Sequence, residues 1–268
     1  MSRRTLAPFG RRTAEVTGVE EVGAYAVISA CDDHGPGDPR PGQFYMLSTA
    51  ERWGGGADER PYLPRAFSFA RVRPDRTLDF MLEAIGPGTD RLASLERGDG
   101  LNLVGPLGIG FDLEAPGRPL LVGGGIGAAP LVALQDELGA PALLGFRSAS
   151  HAEAAALFEG AHRVVTDDGS VGRQAFVTEL LREELDANPA VTVYACGPPP
   201  MLEAVRALCA ERAVPAQLAL ESGMACGYGA CFGCVVPTRE GYVRLCVDGP
   251  VLDAAELETA LIAGTGHA

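Results

Sequence analysis

The sequence predicts a β-barrel followed by an α/β unit, with a short cysteine-rich segment at the C-terminus. Three observations carry this reading. About six short β-type runs separated by turn residues fill residues 13 to 112. An apolar run, a glycine cluster and a helical stretch follow one another between Pro119 and Leu138. Cys226, Cys231, Cys234 and Cys246, four of the seven cysteines, crowd the last part of the chain. The expected boundaries are 1–112, 113–220 and 221–268, and 268 residues is long enough for two ordinary domains and an appendage.

Composition narrows the function classes. The chain is 47% hydrophobic and 21% charged, as globular proteins are. Its net charge of −13 argues against a nucleic-acid partner, which needs a basic face. No apolar run approaches the roughly 18–20 residues of a membrane helix. Met1–Arg12 carries four arginines and no apolar core, so it reads as a basic tail and not a secretory signal. Cysteines without an export signal point to a reducing cytoplasm.

In the first unit the expected strands are Ala14–Val19, Ala24–Ser29, Gln43–Ser48, Arg65–Val72, Thr77–Glu83 and Gly100–Val104, with one helix at Gly88–Leu95. Turn residues such as Asp32–Gly37 and Arg73–Arg76 separate them. Trp53-Gly-Gly-Gly-Ala reads as a loop. Two stretches here could carry chemistry. On Pro64-Arg65-Ala66-Phe67-Ser68, the arginine could grip a diphosphate, the aromatic lie on a ring and the hydroxyl bond a heteroatom. An ordinary strand with an exposed arginine fits the same residues. Gly86-Pro87-Gly88-Thr89 could form an anion site at a helix start, or a plain strand-to-helix turn with Thr89 as its cap.

In the second unit, Pro119–Val122 has the look of a buried parallel strand. Gly123, Gly125 and Ala128 fit G-x-G-x-x-A, a turn whose backbone can approach a dinucleotide diphosphate, with Gly127 inside it. The next strand, Ala142–Phe146, ends in Arg147-Ser148 and lacks the acidic residue expected for NAD, so this motif does not decide between NAD and NADP. Further expected elements are the strand Arg163–Thr166, the helix Gln174–Leu185 and the strand Val191–Ala195. The last of these leads into Cys196-Gly197-Pro198, where Cys196 could face a nicotinamide ring or simply fill core space. Cys31 and Cys209 read as core. His34, His151, His162 and His267 read as loop or tail residues without a spaced carboxylate, which argues against histidine catalysis.

The C-terminal cysteines are spaced C-x4-C-x2-C-x11-C. The first three match the run that holds a [2Fe–2S] cluster in plant-type ferredoxins. Zinc sites usually show two C-x2-C clips, and here there is one. Gly227, Gly229 and Gly233 would let the backbone turn sharply and aim amides at sulfur. A zinc knot and inert thiols remain the alternatives.

The barrel with Arg-x-Phe-Ser and the glycine-rich unit ending in Cys-Gly-Pro resemble the ferredoxin–NADP reductase superfamily. Glu221–Cys234, closed by Cys246-Val-Asp-Gly-Pro-Val, is similar to the electron-transfer subunits of the two-subunit, NAD-linked dihydroorotate dehydrogenases (type B). Gly105–Phe111 and Thr166–Ser170 add to the match, which covers nearly the whole chain. The resemblance implies FAD on the barrel, NAD at the α/β unit and a [2Fe–2S] cluster on Cys226, Cys231, Cys234 and Cys246. It implies that Arg65 holds the FAD diphosphate, that Ala66, Phe67 and Ser68 line the flavin, and that Gly88 and Thr89 meet its phosphates. Gly123, Gly125, Gly127, Cys196 and Gly197 would serve the nicotinamide dinucleotide, and Arg147 would suit the extra phosphate of NADP. It further implies an FMN-containing catalytic partner with the dihydroorotate site, in an assembly of two of each subunit serving pyrimidine synthesis. Phe67 stands where many reductases have tyrosine, and the loop Glu51–Glu59 is longer than expected. Two other functions fit less of the sequence: an NAD(P)H reductase serving a ferredoxin, a sulfur-reducing enzyme or a hydrogenase, and a non-catalytic protein with a structural zinc knot.

Overall fold

The computed structural model describes residues 2–8, 10–54 and 62–262. His267 and most of the loop Glu51–Glu59 lie outside them.

The first unit is a strongly curled antiparallel sheet. Its strands are β1 (Arg12–Val22), β2 (Tyr25–Cys31), β3 (Phe44–Thr49), β4 (Arg65–Ser68), β5 (Arg71–Val72), β6 (Thr77–Leu82) and β7 (Gly100–Leu107). Their order is β4-β3-β7-β1-β2-β6-β5. The expected single strand Arg65–Val72 is broken at Phe69-Ala70. Its first half pairs with β3 and its second half with β6, so one short stretch of chain joins the two edges of the sheet. The two halves do not pair with each other, and the barrel is closed by chain continuity and by its core.

That core follows from alternation. Ala14 and Val16 of β1 point inward between exposed neighbours and meet Ile28, Tyr45, Leu47, Phe69, Phe80 and Leu103. Leu92 of helix α1 (Pro87–Ala93) plugs one end. A near-buried ion pair, Arg12–Asp32 at 2.6 Å, ties the start of β1 to the turn after β2, and the same guanidinium donates to the Gly105 carbonyl at 2.7 Å. Cys31 closes β2 half-buried and bonded to Asp33, so it is not the core residue the sequence suggested. Cys209 is core, and burial raises its thiol to about 12.

The second unit is a six-stranded sheet of order β10-β9-β8-β11-β12-β15. It holds β8 (Arg118–Gly124), β9 (Ala142–Phe146), β10 (His162–Thr166), β11 (Val191–Cys196) and β12 (Ala216–Ala219), all parallel, with antiparallel β15 (Val251–Asp253) on the edge. Helices α2 (Ala129–Leu138), α3 (Ala149–Ala152), α4 (Val177–Ala187) and α5 (Pro199–Glu211) cover both faces. β8 shows why such strands are continuous apolar runs: Leu120 and Val122 face α4 and α5, while Leu121 packs with Leu131 and Leu134 of α2. His162 therefore opens a strand and does not lie in a loop.

Between β12 and β15 runs the cysteine segment, with the hairpin β13 (Val235–Thr238) and β14 (Gly241–Arg244) and one helical turn, α6 (Leu245–Asp248). Cys234, Val236, Leu245 and Cys246 join the apolar core under α4 and α5. Among the described residues no helix is long and apolar enough to cross a membrane.

The segment after β15 is tied down by Glu203 of α5, which accepts from Arg206 at 2.6 Å, from the Thr259 hydroxyl at 3.0 Å and from the Ala260 amide at 2.6 Å. The Arg206 bond first, and then those two donors against a modest burial cost, pull its carboxyl from 4.5 to about 2. A depressed folded-state value gives stability that is full above about 4.5 and is lost as pH falls toward 2. Denaturant midpoints of the native chain and Glu203→Gln are therefore expected to differ at pH 6 and to converge by pH 2. A constant difference would contradict this tie.

Candidate functional site

The sheet order reverses between β8 and β11, and ligands of open α/β sheets bind at the carboxyl ends of strands flanking such a point. A crevice of about 600 Å³ lies there, between the α/β sheet and the open side of the curled sheet. β4 supplies Arg65, Ala66, Phe67 and Ser68, and the start of α1 supplies Gly88 and Thr89. The glycine turn adds Gly127, and the end of β11 adds Cys196. Stretches far apart in sequence, chosen separately, thus share one wall.

Thr89 is not the helix cap. Gly86 holds that position, and the Thr89 hydroxyl accepts from the Ile85 and Gly86 amides at 3.0 and 3.1 Å while donating to the Gly86 carbonyl. Its hydroxyl is consumed in shaping the turn. Gly88 leaves room for the Arg65 guanidinium: a Cβ there would stand 2.8 Å from Arg65 Nε and push that flexible end aside.

The glycine turn divides its labour. Gly123 lies within β8 against Leu131 and Leu144, a packing position outside the crevice. Gly125 adopts φ of +53°, starting a 3₁₀ turn that feeds α2. At Gly127 a Cβ would stand 2.5 Å from the Cys196 carbonyl, so glycine lets this turn touch the end of β11. Gly197 is likewise packing, against Met201 and Gly124. Cys196 is 5% exposed. Burial first, then the charge of Glu221, push its thiol well above the ordinary range and keep it neutral.

Arg147 lies outside the crevice wall, mostly exposed, with Nη2 at 3.5 Å from Glu83 Oε1. The same carboxylate oxygen is 3.3 Å from His151 Nε2, whose Nδ1 is 2.9 Å from the Ser148 hydroxyl. His151 thus has the carboxylate neighbour that sequence spacing did not show, 68 positions away. Glu83 itself lines the crevice.

Sequence reading missed the other wall, Glu221 to Met224, which runs directly into Cys226. Ser222 Oγ there is buried with no hydrogen-bond partner, an orphan that a ligand polar atom would satisfy. The signal was present, since this stretch belongs to the cysteine motif, but a short Ser-Gly run has no periodicity to place it.

The four C-terminal cysteines gather on one segment. Cys234 Sγ lies 3.2 Å from Cys246 Sγ, and the Cys231 thiol is near enough to Cys226 to help lower its pKa. Amides approach the sulfurs as the glycine-rich spacing suggested: Gly233 N is 3.4 Å from Cys231 Sγ, and Cys246 N is 3.5 Å from Cys234 Sγ. Gly227 (φ +81°) packs where a Cβ would meet Met46 at 2.5 Å, pressing the loop onto β3. Burial opposes ionisation of Cys226, but the amides of Cys231, Tyr228 and Ala230 and the Cys231 thiol outweigh it and bring it to about 6. Among the described residues no three potential ligands enclose a single ion. Four cysteines on one segment, with glycine-spaced amides aimed at their sulfurs, suit the thiolate set of an iron–sulfur cluster.

Residues 221–258 match the family model described as the iron-sulfur cluster binding domain of dihydroorotate dehydrogenase B. The dihydroorotate dehydrogenase B (NAD(+)) electron transfer subunit of Caldanaerobacter subterraneus is 37% identical over 82% of this chain and 87% of its own. That of Bacillus caldolyticus is 39% identical over 81% and 86%. Among solved structures, an NADH-dependent reduced ferredoxin-NADP oxidoreductase studied for flavin-based electron bifurcation superposes with a TM-score of 0.78 at 24% identity, covering 94% of this chain and 92% of its own. A Neisseria gonorrhoeae ferredoxin NADP+ reductase with bound FAD and NADP gives 0.59 at 16% identity, over 75% and 91%. These two show the shared reductase fold.

Proposed function

Because the chain belongs to the family of dihydroorotate dehydrogenase B electron transfer subunits, we propose that it links a dihydroorotate-oxidising partner to NAD+ through a [2Fe–2S] cluster and FAD. The partner would carry FMN and the dihydroorotate site, two copies of each subunit would assemble in the cytoplasm, and the reaction would serve pyrimidine synthesis. One observation carries this reading: the wall Glu221–Met224 runs straight from the crevice into the cysteine segment, so the two centres would be neighbours along a few residues of chain. When bound, the flavin supplies what side chains lack, the exchange of a hydride for two single electrons.

The chain's own residues bind and orient. Arg65 would hold the FAD diphosphate with charge-assisted bonds, with Gly88 giving room for its guanidinium. Ala66, Phe67 and Ser68 would line the ring from β4, and Ser222 Oγ would gain its missing partner there. The turn at Gly125 and Gly127 would admit the NAD diphosphate near the end of β11. Cys196, neutral and buried, would keep water from the nicotinamide side of the crevice. Cys226, Cys231, Cys234 and Cys246 would ligate the cluster as thiolates. No side chain here is required to move a proton on dihydroorotate.

The test is co-purification and turnover. Anaerobically prepared protein is expected to hold one FAD, with iron and sulfide in equal amounts, and to support NAD-dependent orotate formation only with an FMN-containing subunit. Stoichiometric zinc in a colourless protein would sink the cofactor assignment. A different co-purifying partner would favour a reductase for a ferredoxin, a sulfur-reducing enzyme or a hydrogenase. Arg147 keeps that second reading in view, since an arginine after the second parallel strand suits an NADP phosphate. Under the NAD reading, Arg147→Ala is expected to change kcat/KM for NADH by less than about 3-fold, within the small effects typical of exposed positions. A selective loss of NADPH activity would support the other.

A further inference from the structure

The loop after β3 presents Trp53, the single tryptophan of the chain, beside the crevice. Its approach is fixed by the chain before it: Asn102 Nδ2 donates to the Thr49 carbonyl at 3.3 Å, and the Thr49 hydroxyl donates to the Glu51 carbonyl at 2.5 Å. The guanidinium carbon of Arg65 lies 5.9 Å from the Trp53 ring centroid, within cation–π range. Arg65 has two other neighbours. Its Nη1 donates to the Leu63 carbonyl at 2.7 Å, and its guanidinium lies over Gly88, where a Cβ would stand 2.8 Å from Nε, so the bare glycine leaves it room. The indole Nε1 is buried and has no hydrogen-bond partner. An arginine free to wander over a 600 Å³ crevice would lose side-chain entropy on gripping a ligand. This one is confined beforehand by a ring and a carbonyl, in the space that the bare Gly88 leaves open.

We propose that Trp53 is a positioning residue, whose indole face holds the Arg65 guanidinium against the Gly88 turn in the orientation that receives the diphosphate of a flavin dinucleotide. The inference rests on the FAD reading of this crevice. It gives the start of the unusually long loop a role: the loop carries the aromatic that confines the arginine. Phenylalanine at this position would retain most of the effect, because the ring face does the work, whereas leucine would not.

The experiment is a double-mutant cycle on FAD binding to apoprotein, followed by flavin fluorescence. Arg65→Ala is expected to weaken FAD about 100-fold, as loss of charge-assisted bonds does, and Trp53→Leu about 10-fold, the size of a partly desolvated cation–π contact. Trp53→Phe is expected to stay within about 3-fold of the native chain. In the Arg65→Ala background, Trp53→Leu should add less than about 2-fold, since the group it positions is gone. In apoprotein, Arg65→Ala should also shift the emission of the lone indole. Full FAD affinity in Arg65→Ala would overturn the crevice reading together with this proposal. Loss in Arg65→Ala but none in Trp53→Leu would overturn Trp53 alone. An equal 10-fold loss in both backgrounds would mean that the indole touches the ligand directly, and it too would overturn positioning, as would an unshifted emission.

Discussion

Replacing Cys231 with serine is expected to strip the protein of iron and sulfide and to reduce partner-dependent turnover at least 100-fold, while NADH oxidation by an artificial acceptor stays within about 2-fold. The choice among the four cysteines follows from burial. Cys234 and Cys246 are 2% exposed and belong to the apolar core beneath α4 and α5, so their loss would disturb folding as well as ligation. Cys231 is exposed, and its thiol carries little of the packing. Compared in the cluster-free chain, a serine there should cost the fold within about 0.5 kcal/mol, as surface substitutions do. Iron content, visible absorbance and the two activities, measured on the same preparation, separate the cases. Equal loss of both activities would show that the segment holds the reductase body together, and full retention of iron would remove Cys231 from the ligand set.

Gly127→Ala is expected to have a large effect for a single methyl group, and one felt at the site. The added carbon would stand 2.5 Å from the Cys196 carbonyl, closer than such atoms approach, and both partners are backbone. Relief requires the turn and the end of β11 to separate. Overpacking of this kind costs about 1–3 kcal/mol of stability. The same separation opens the crevice wall where NAD would lie, so KM for NADH should rise about 10-fold or more, with FAD content unchanged. Gly125→Ala is the control. Its φ of +53° costs an alanine about 1 kcal/mol, but the nearest atom to its Cβ is the Tyr25 hydroxyl at 3.9 Å. Denaturant midpoints and NADH kinetics of the two variants should therefore diverge. If Gly127→Ala behaved like Gly125→Ala, the contact between turn and strand would not hold the site.

These contrasts show what the sequence could reveal. Strand and turn chemistry placed most elements of both sheets within a few residues, because alternating burial in the curled sheet and apolar runs in the parallel one leave opposite patterns. The cysteine spacing was legible because ligand geometry constrains sequence distance directly. Three features were hidden. Arg65–Val72 reads as one strand, and nothing local tells that Phe69-Ala70 carries it from one sheet edge to the other. Val251–Asp253 is too short to stand out, and its place is set by β12 rather than by its own residues. The meeting of Glu83 with Arg147 and His151, and of Ser222 with the crevice, depends on contacts across the whole chain. Gly123 and Gly197, chosen as nucleotide contacts, lie outside the crevice lining and pack against the side chains of Leu131, Leu144 and Met201, and a glycine motif alone cannot tell these roles apart.

The strand Val251–Asp253 has a consequence for conduction. An electron carrier hung from one flexible joint samples many gaps to its neighbour, and tunnelling through the widest of them is slow. Here the loop that bears the sulfurs leaves the sheet from β12 and is stitched back to that same strand by the Gln217–Asp253 and Ala219–Val251 pairings. Both ends are anchored in neighbouring strands of one sheet, so under the proposed function the gap from the sulfurs to the crevice would vary little. Severing the chain just past Cys246 would free one end of that loop, and transfer would slow even with every sulfur in place.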